Sequence, residues 1–384
     1  MSIIKTNQVQ DLNGNPMIAV ADGVASGSFA PVGMRNRIIN GAMVIDQRNA
    51  GASVTPASGS YTLDRWKFFV TQTSKLTCQQ NAGSVTPPVG FGKYLGVTSS
   101  SAYSVGSTDY FCLNQPIEGF NTFDLAWGTA NAIPVTLSFW VRSSLTGTFG
   151  GALNNGDFSR SYPFSYTIAS ASTWTPISVT IAGDTTGTWV GATNGIGLNV
   201  TFGLGSGSTN SGTSGSWASG FLVQPTSSVS VVGTNGATFY ITGVQLEKGT
   251  VATPFEYRQY GTELALCQRY YYQIKPGAVS KTLAIGFSAS TTVANGALWF
   301  PVEMRDIPTS LDQSGTANQY AIVGGAGGTA VCSSVPIISA NLTTTRTGGV
   351  AFTVASGLTS NLGYTLRTDA TNGANAYLGW SAEL

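Results

Sequence analysis

Aromatic rings set among neutral hydroxyl and amide groups are the chemistry this chain holds in quantity: it has 8 Trp, 15 Tyr and 18 Phe. An aromatic ring offers a flat apolar face that stacks on the C–H face of a sugar, while Ser, Thr, Asn and Gln give uncharged hydrogen bonds to its hydroxyls. Trp127, Trp189 and Trp217 stand in Gly/Thr/Ser-rich loop stretches and are the candidates for glycan contact. Loop tryptophans also clamp neighbouring subunits, so the same three suit a protein interface. Trp66, Trp140 and Trp299 stand inside strand-like runs and are expected in cores.

Catalytic chemistry is much harder to assemble. The chain has no histidine, which removes Ser-His-Asp and Cys-His nucleophiles, histidine bases and His-ligated metals. Asp64, Glu118, Asp124, Asp157, Asp184, Glu247, Glu256, Glu303 and Asp306 are scattered singly, and no pair marks the two-carboxylate site of a glycosidase. The glycines at 324–328 precede no helical run and read as a surface loop, not a phosphate cradle. Asp64 and Arg65, with Glu247 at the end of a strand-like run, are expected to fix a structural corner by charge-assisted hydrogen bonds.

No cofactor and no metal site is expected. Cys78, Cys112, Cys267 and Cys332 form no CxxC pair and read as free, buried thiols. A net charge of +1 gives no field for nucleic acid. No apolar run reaches the ~18 residues of a membrane span. The opening MSIIKTNQ lacks a secretory apolar stretch, so synthesis in the cytoplasm is expected.

The elements that must position these residues are strands. Only 9% of residues are charged, against roughly 25% in an average soluble protein. One residue in eight is glycine, which suits short strands and many turns rather than Glu/Lys-faced helices. Residues 1–35 cannot bury a core of their own and read as an anchor segment ordered against a partner or disordered, with Ile3, Ile4, Val9 and Leu12 as its apolar contacts. Over 36–258, strands are expected at Arg37–Asp46, Trp66–Thr71, Lys75–Gln79, Val135–Arg142, Phe164–Ile168, Thr175–Ile181, Gly197–Phe202 and Phe239–Leu246. Period-two alternation puts Val135, Leu137, Phe139 and Val141 on one face. A β-sandwich of jelly-roll type follows.

Over 259–272, Leu264, Cys267 and Tyr271 recur at helical spacing behind a capping Thr262, giving a short linker helix. Over 273–384, strands at Leu283–Ser288, Ala297–Val302, Tyr320–Val323, Val335–Asn341, Val350–Val354, Gly363–Arg367 and Ala376–Ala382 build a second, C-terminal β-sandwich. The fold class is all-β.

Three stretches resemble bacteriophage tail-fibre and related virion structural proteins. They are NRIINGAMVIDQR (36–48) with YTLDRW (61–66); VQLEKG (244–249) running through TPFEYR (253–258) into ALCQRYY (265–271); and FPVEMRDIPT (300–309) with the final YLGWSAEL (377–384). The opening MSIIKTNQVQDLNGNP is similar to the leader of many phage fibres. The resemblance implies a carbohydrate-binding-module-like jelly roll, a short helix and a C-terminal β domain assembled as a homotrimer. Many such jelly rolls hold a structural calcium, but the corresponding segments here, 40–43 and 240–243, lack acidic ligands.

The expected function is a non-enzymatic tail-fibre adhesin located in the virion. Residues 1–35 would dock it to other tail proteins, and it would bind host-surface polysaccharide with an avidity multiplied by trimerisation. The alternatives are a structural virion component without a glycan ligand, such as a capsid decoration, collar or tail-hub appendage, and a glycan depolymerase.

Overall fold

The computed structural model describes residues 8–10, 16–21, 24–27, 34–324 and 328–384. Three short strands, Gln8–Gln10, Pro16–Ala21 and Val24–Gly27, pair antiparallel in a sheet of their own. Val9 lies opposite Ile18 in it, whereas Ile3, Ile4 and Leu12 lie outside the described residues.

The first large unit is a sandwich of a seven-stranded and a five-stranded antiparallel sheet. The order in the larger is Ala218–Ser219, Arg160–Ile168, Gly147–Asn154, Ile196–Ser206, Tyr110–Glu118, Trp66–Val70 and Tyr61–Leu63. In the smaller it is Thr175–Ile181, Val135–Ser143, Thr238–Lys248, Leu95–Ser99 and Leu76–Gln80. Inward positions of both sheets supply one core around Trp66, Phe68, Phe139, Phe149, Phe164 and Phe202. A buried side chain of this size contributes about 1.5–3 kcal/mol relative to exposure. The alternation of the central strand holds: Val135, Leu137, Phe139 and Val141 are buried. That parity turns Trp140 to the outer face, where it is half-buried, so the expectation of a core Trp140 is corrected.

Arg37–Asp46 is not a strand. The chain turns through left-handed backbone at Asn40 (φ 58°) and Met43 (φ 59°); two isolated backbone bonds, Arg37 N–H to Leu246 and Val244 N–H to Gly41, tie it to the neighbouring strand, and side chains do much of the rest. Gln115 bonds both the N–H and the carbonyl of Ile39 (2.8 and 2.9 Å). The Asn40 amide bonds Ile45 N–H and carbonyl and the Asp64 carbonyl. A β-carbon at Gly41 would stand 2.1 Å from the Val244 carbonyl oxygen, so only glycine lets this hook lie on the neighbouring strand.

The helix spans Tyr260–Gln268; Thr262 lies inside it and Gln259, at the cap, makes no side-chain capping bond. Cys267 and the following Tyr270 pack in a small core with Ile39 and Ile45 of the hook. The buried Glu263 carboxylate accepts the Asn40 N–H and pairs with Arg258 at 3.3 Å.

The second large unit packs a seven-stranded sheet on a three-stranded one (Tyr271–Ile274, Leu378–Ser381, Ser310–Gln313). The larger sheet runs Gly328–Val331, Tyr320–Gly324, Gly363–Thr368, Thr282–Ser288, Val293–Trp299, Thr347–Thr353 and Ile337–Ile338. Tyr320, Val350, Phe352, Leu366 and Trp380 form the core between them. Trp299 is 76% exposed, not in the core as expected. Its strand sends Ala294 inward, and Trp299 has the opposite parity. Of the strand expected at Val335–Asn341, only Ile337–Ile338 pairs.

Candidate functional site

The charged corner expected at Asp64, Arg65 and Glu247 divides in two. Arg65 is fully buried, forms an ion pair with Glu383, donates to the Pro116 carbonyl (2.6 Å) and lies 3.5 Å over the Tyr270 ring. Arg48 stacks 3.5 Å over Tyr271 and bonds Asp312 and Glu383. Tyr61 and Lys67 donate to the Leu384 carbonyl. Asp64 accepts two hydrogen bonds from Gln47; burial nevertheless lifts its carboxyl to about 6, while those bonds and the Arg48 charge pull it down. Burial, helped by Arg65, lowers the Lys67 ammonium to about 8. This corner is the joint between the two large units. Glu247 lies elsewhere: it accepts bonds from Thr253 N–H and hydroxyl (2.8 and 2.7 Å) and folds the 249–258 segment back onto its strand.

Trp127, Trp189 and Trp217 come together as a trio of edge-to-face rings with centroids 4.8–5.4 Å apart. Each indole N–H is engaged by a backbone carbonyl, of Ile133, Thr186 and Ala182 respectively. Trp127 is buried and the other two pack partly on the sandwich core. A bidentate Arg160–Asp184 pair (2.7 and 2.9 Å) anchors the loop carrying Trp189. Burial raises the Asp184 carboxyl, but Arg160 and Thr186 outweigh it and leave it below the usual range. A cavity of about 180 Å³ opens beside the trio, lined by Phe123, Trp127, Trp189 and Val190.

A broader aromatic surface covers the outer face of the five-stranded sheet. Core parity sends Pro176, Trp140 and Thr242 outward as one cross-strand row and Ser178, Ser138 and Gln245 as the next. Arg142 and Tyr240 face each other in the row on the other side, with the guanidinium 5.5 Å from the Tyr240 ring. Tyr240 meets Tyr94 at 5.2 Å, and Tyr94 meets Trp174 at 5.5 Å. At the opposite end Phe91, Phe255 and Tyr257 form a triangle with centroids 4.9–5.4 Å apart.

Gly243 joins these two groups. It sits in left-handed backbone (φ 62°), where the strand's register slips, and a β-carbon there would stand 2.6 Å from the Phe91 ring and 3.2 Å from Trp140. Two cavities adjoin along the surface and share Phe255. One of about 280 Å³ is lined by Ser138, Trp140, Pro176, Ser178 and Thr253; the other, of about 200 Å³, by Phe91, Phe255, Tyr257, Arg258 and Glu263. The arrangement offers apolar ring surface, uncharged hydroxyls and amides, and mostly paired charge.

Sequence reasoning missed this surface, although one signal pointed to it. The alternation that buries Leu137, Phe139 and Val141 requires Trp140 to point the other way. Phe91, Phe255 and Tyr257 carry no comparable signal, because they lie in segments without periodicity.

No family model matches the chain, and no curated protein matches it. Similar solved structures are carbohydrate-binding modules. One, described as a CBM4, has 16% identity over 54% of this chain and 97% of its own, with a TM-score of 0.27. A family 11 module from Clostridium thermocellum, in complex with a β-1,3-1,4-mixed-linked tetrasaccharide, has 12% identity over 53% and 100%, TM-score 0.26. The tandem CBM22-1–CBM22-2 domain of Paenibacillus barcinonensis Xyn10C has 9% identity over 88% and 98%, TM-score 0.24.

Proposed function

We propose that this chain is a non-enzymatic glycan-binding protein whose ligand is a neutral polysaccharide lying across the outer face of the five-stranded sheet. The observation that carries the reading is the pair of adjoining cavities around Trp140, Phe91 and Phe255, with Ser138, Ser178 and Thr253 at their walls. Sugar rings stack on aromatic faces while hydroxyls bond the serine and threonine oxygens, and binding needs no charge. Two cavities in line suit a chain of linked sugars better than a single one. Trp189 and Phe123 at the third cavity, with Trp127 and Trp217 behind them, offer a second contact site for the same ligand class.

The biological setting we propose rests on the sequence resemblance. It is a phage tail-fibre adhesin, part of the virion, docked through residues 1–35 and assembled as a homotrimer that repeats a weak sugar contact. A glycan-array screen of the whole protein, followed by calorimetry with the best polysaccharide, tests the reading. Saturable binding lost in Trp140→Ala supports it. Binding that survives Trp140→Ala but is lost in Trp189→Ala moves the site to the tryptophan trio, and no binding to any glycan leaves a structural component only.

A further inference from the structure

A second surface carries a different message. In the seven-stranded sheet of the C-terminal unit, inward positions build the core; among the described residues no sheet covers the other face, and the 339–343 segment lies on it at Gly349. On it stand Ile285 (72% exposed), Phe287 (48%), Trp299 (76%), Val331 (45%) and Ile337 (60%). The register places them together. Phe287, Asn295, Ala351 and Ile337 form one row across four strands, and Ile285 faces Ala297, two residues before Trp299. Arg367 is the one charged residue among the outward strand positions, and it bonds the Thr329 hydroxyl; Asn295, Thr347, Thr353 and Thr365 are the other polar ones, all uncharged.

We infer that this face packs against the same unit of another copy of this chain. Three observations select that occupant. First, a face with a single cation, itself hydrogen-bonded, gives neither nucleic acid nor an anionic lipid surface a charged partner. Two copies, by contrast, meet there without charge repulsion. Second, large side chains alternate with small ones: Phe287 lies beside Gly363, Ile285 beside Ala297 and Ile337 beside Ala351. Such a surface has the knobs and hollows that sheet-on-sheet packing interdigitates. Third, the area suffices. Strands ~4.8 Å apart with ~3.3 Å per residue make a face of roughly 500–600 Å², so two faces approach the ~1,200 Å² at which stable interfaces begin. The exposed large apolar residues of the first unit, such as Phe120, Phe123 and Tyr257, are spread over loops and form no such face.

The inference shares no residue with the glycan site; it rests on the proposed self-assembly and names the surface through which the copies meet, so an oligomer untouched by the variants below would sink the surface and leave that assembly standing. Its test is the association state of the whole protein in sedimentation velocity. The wild type is expected at a multiple of the monomer mass, and Ile285→Glu to weaken association by roughly a hundredfold or more, because an unpaired charge would be buried in the contact. Trp299→Ser, at an exposed position the fold does not need, serves as the second variant and is expected to act in the same direction. The four native cysteines are buried, so Asn295→Cys adds a single accessible thiol at the centre of the face. Its maleimide labelling is expected to slow as protein concentration rises. A monomeric wild type at tens of micromolar, an oligomer untouched by both variants, or a thiol labelled at one rate at every concentration would each overturn the inference. Binding of the monomer to neutral phosphatidylcholine vesicles through this face would overturn it in favour of a lipid occupant.

Discussion

Each of the two large β units presents an aromatic sheet face, and the two faces differ in kind. On the five-stranded sheet, Trp140, Tyr240 and Phe91 alternate with Ser138, Ser178, Thr242 and Arg142. On the C-terminal seven-stranded sheet, Ile285, Phe287 and Trp299 stand among small residues and short polar ones, Asn295, Thr347 and Thr365, and are far more exposed than the rings of the first face. Thr242 and Gln245 are already buried and hydrogen-bonded to Lys93 and Thr253, but an apolar partner would strand the Ser138 and Ser178 hydroxyls at about 1–3 kcal/mol each, so this face favours a ligand rich in hydrogen-bonding groups. The second exposes its large apolar side chains outright, and covering them removes the most apolar area from water per residue. Exposure of aromatic residues alone does not mark a ligand site; what accompanies them does.

The largest expected effect lies at the joint that holds the two faces in one body. Arg65→Met leaves Glu383 buried beside Arg48 alone, and breaking such a pair is expected to cost about 3–5 kcal/mol. Urea unfolding read by fluorescence checks this. A loss below about 1 kcal/mol would mean that the units are held elsewhere. Next, Gly243→Val forces a β-branched residue into left-handed backbone and into the Phe91 and Trp140 rings. It is expected to abolish glycan binding and to lower stability by about 1–3 kcal/mol, while leaving the association state unchanged.

Trp140→Ala sharpens the comparison further. It is expected to weaken polysaccharide binding by about 1.5–3 kcal/mol, roughly 10- to 150-fold, with a small change in Tm because the ring is only half-buried. Trp299→Ser is expected to show the converse: unaltered sugar affinity and weakened association. If either substitution moves both readouts together, the separation of roles between the faces fails.

A pH dependence tests the joint in another way. Asp64 titrates near 6 in the fold because burial disfavours its charge. An acid whose folded pKa is raised lends stability below its unfolded value, near 4, and loses that contribution as pH rises through about 6. Asp64→Asn is therefore expected to flatten the Tm profile between about pH 4 and 6, measured by thermal melts against the wild type.

Much of the architecture was legible in the chain. The alternation at 135–141 placed a core strand, and the near absence of charge with abundant glycine gave an all-β body. What failed was long-range. The run RIINGAMVID has strand-like composition, but many of its backbone groups bond the side chains of Gln115, Asn40 and Asn36, which periodicity does not register. Tyr110–Glu118, a central strand, was missed because Asn114, Gln115 and Pro116 interrupt its apolar pattern; Asn114 bonds Thr201 on the next strand and Gln115 bonds the hook. Trp127, Trp189 and Trp217 stand out in the sequence one by one, each by its loop. That they meet as a trio depends on Arg160 pairing with Asp184, which spacing does not reveal. Glu383, the partner of Arg65, lies 318 residues away.

Titration calorimetry of the wild type and Trp140→Ala with one neutral polysaccharide tests the central claim most directly. The glycan-binding account predicts a saturable isotherm for the wild type and a tenfold or greater loss for the variant with only a small change in Tm, roughly what removing one stacked ring costs. Equal affinity in the two proteins would contradict it.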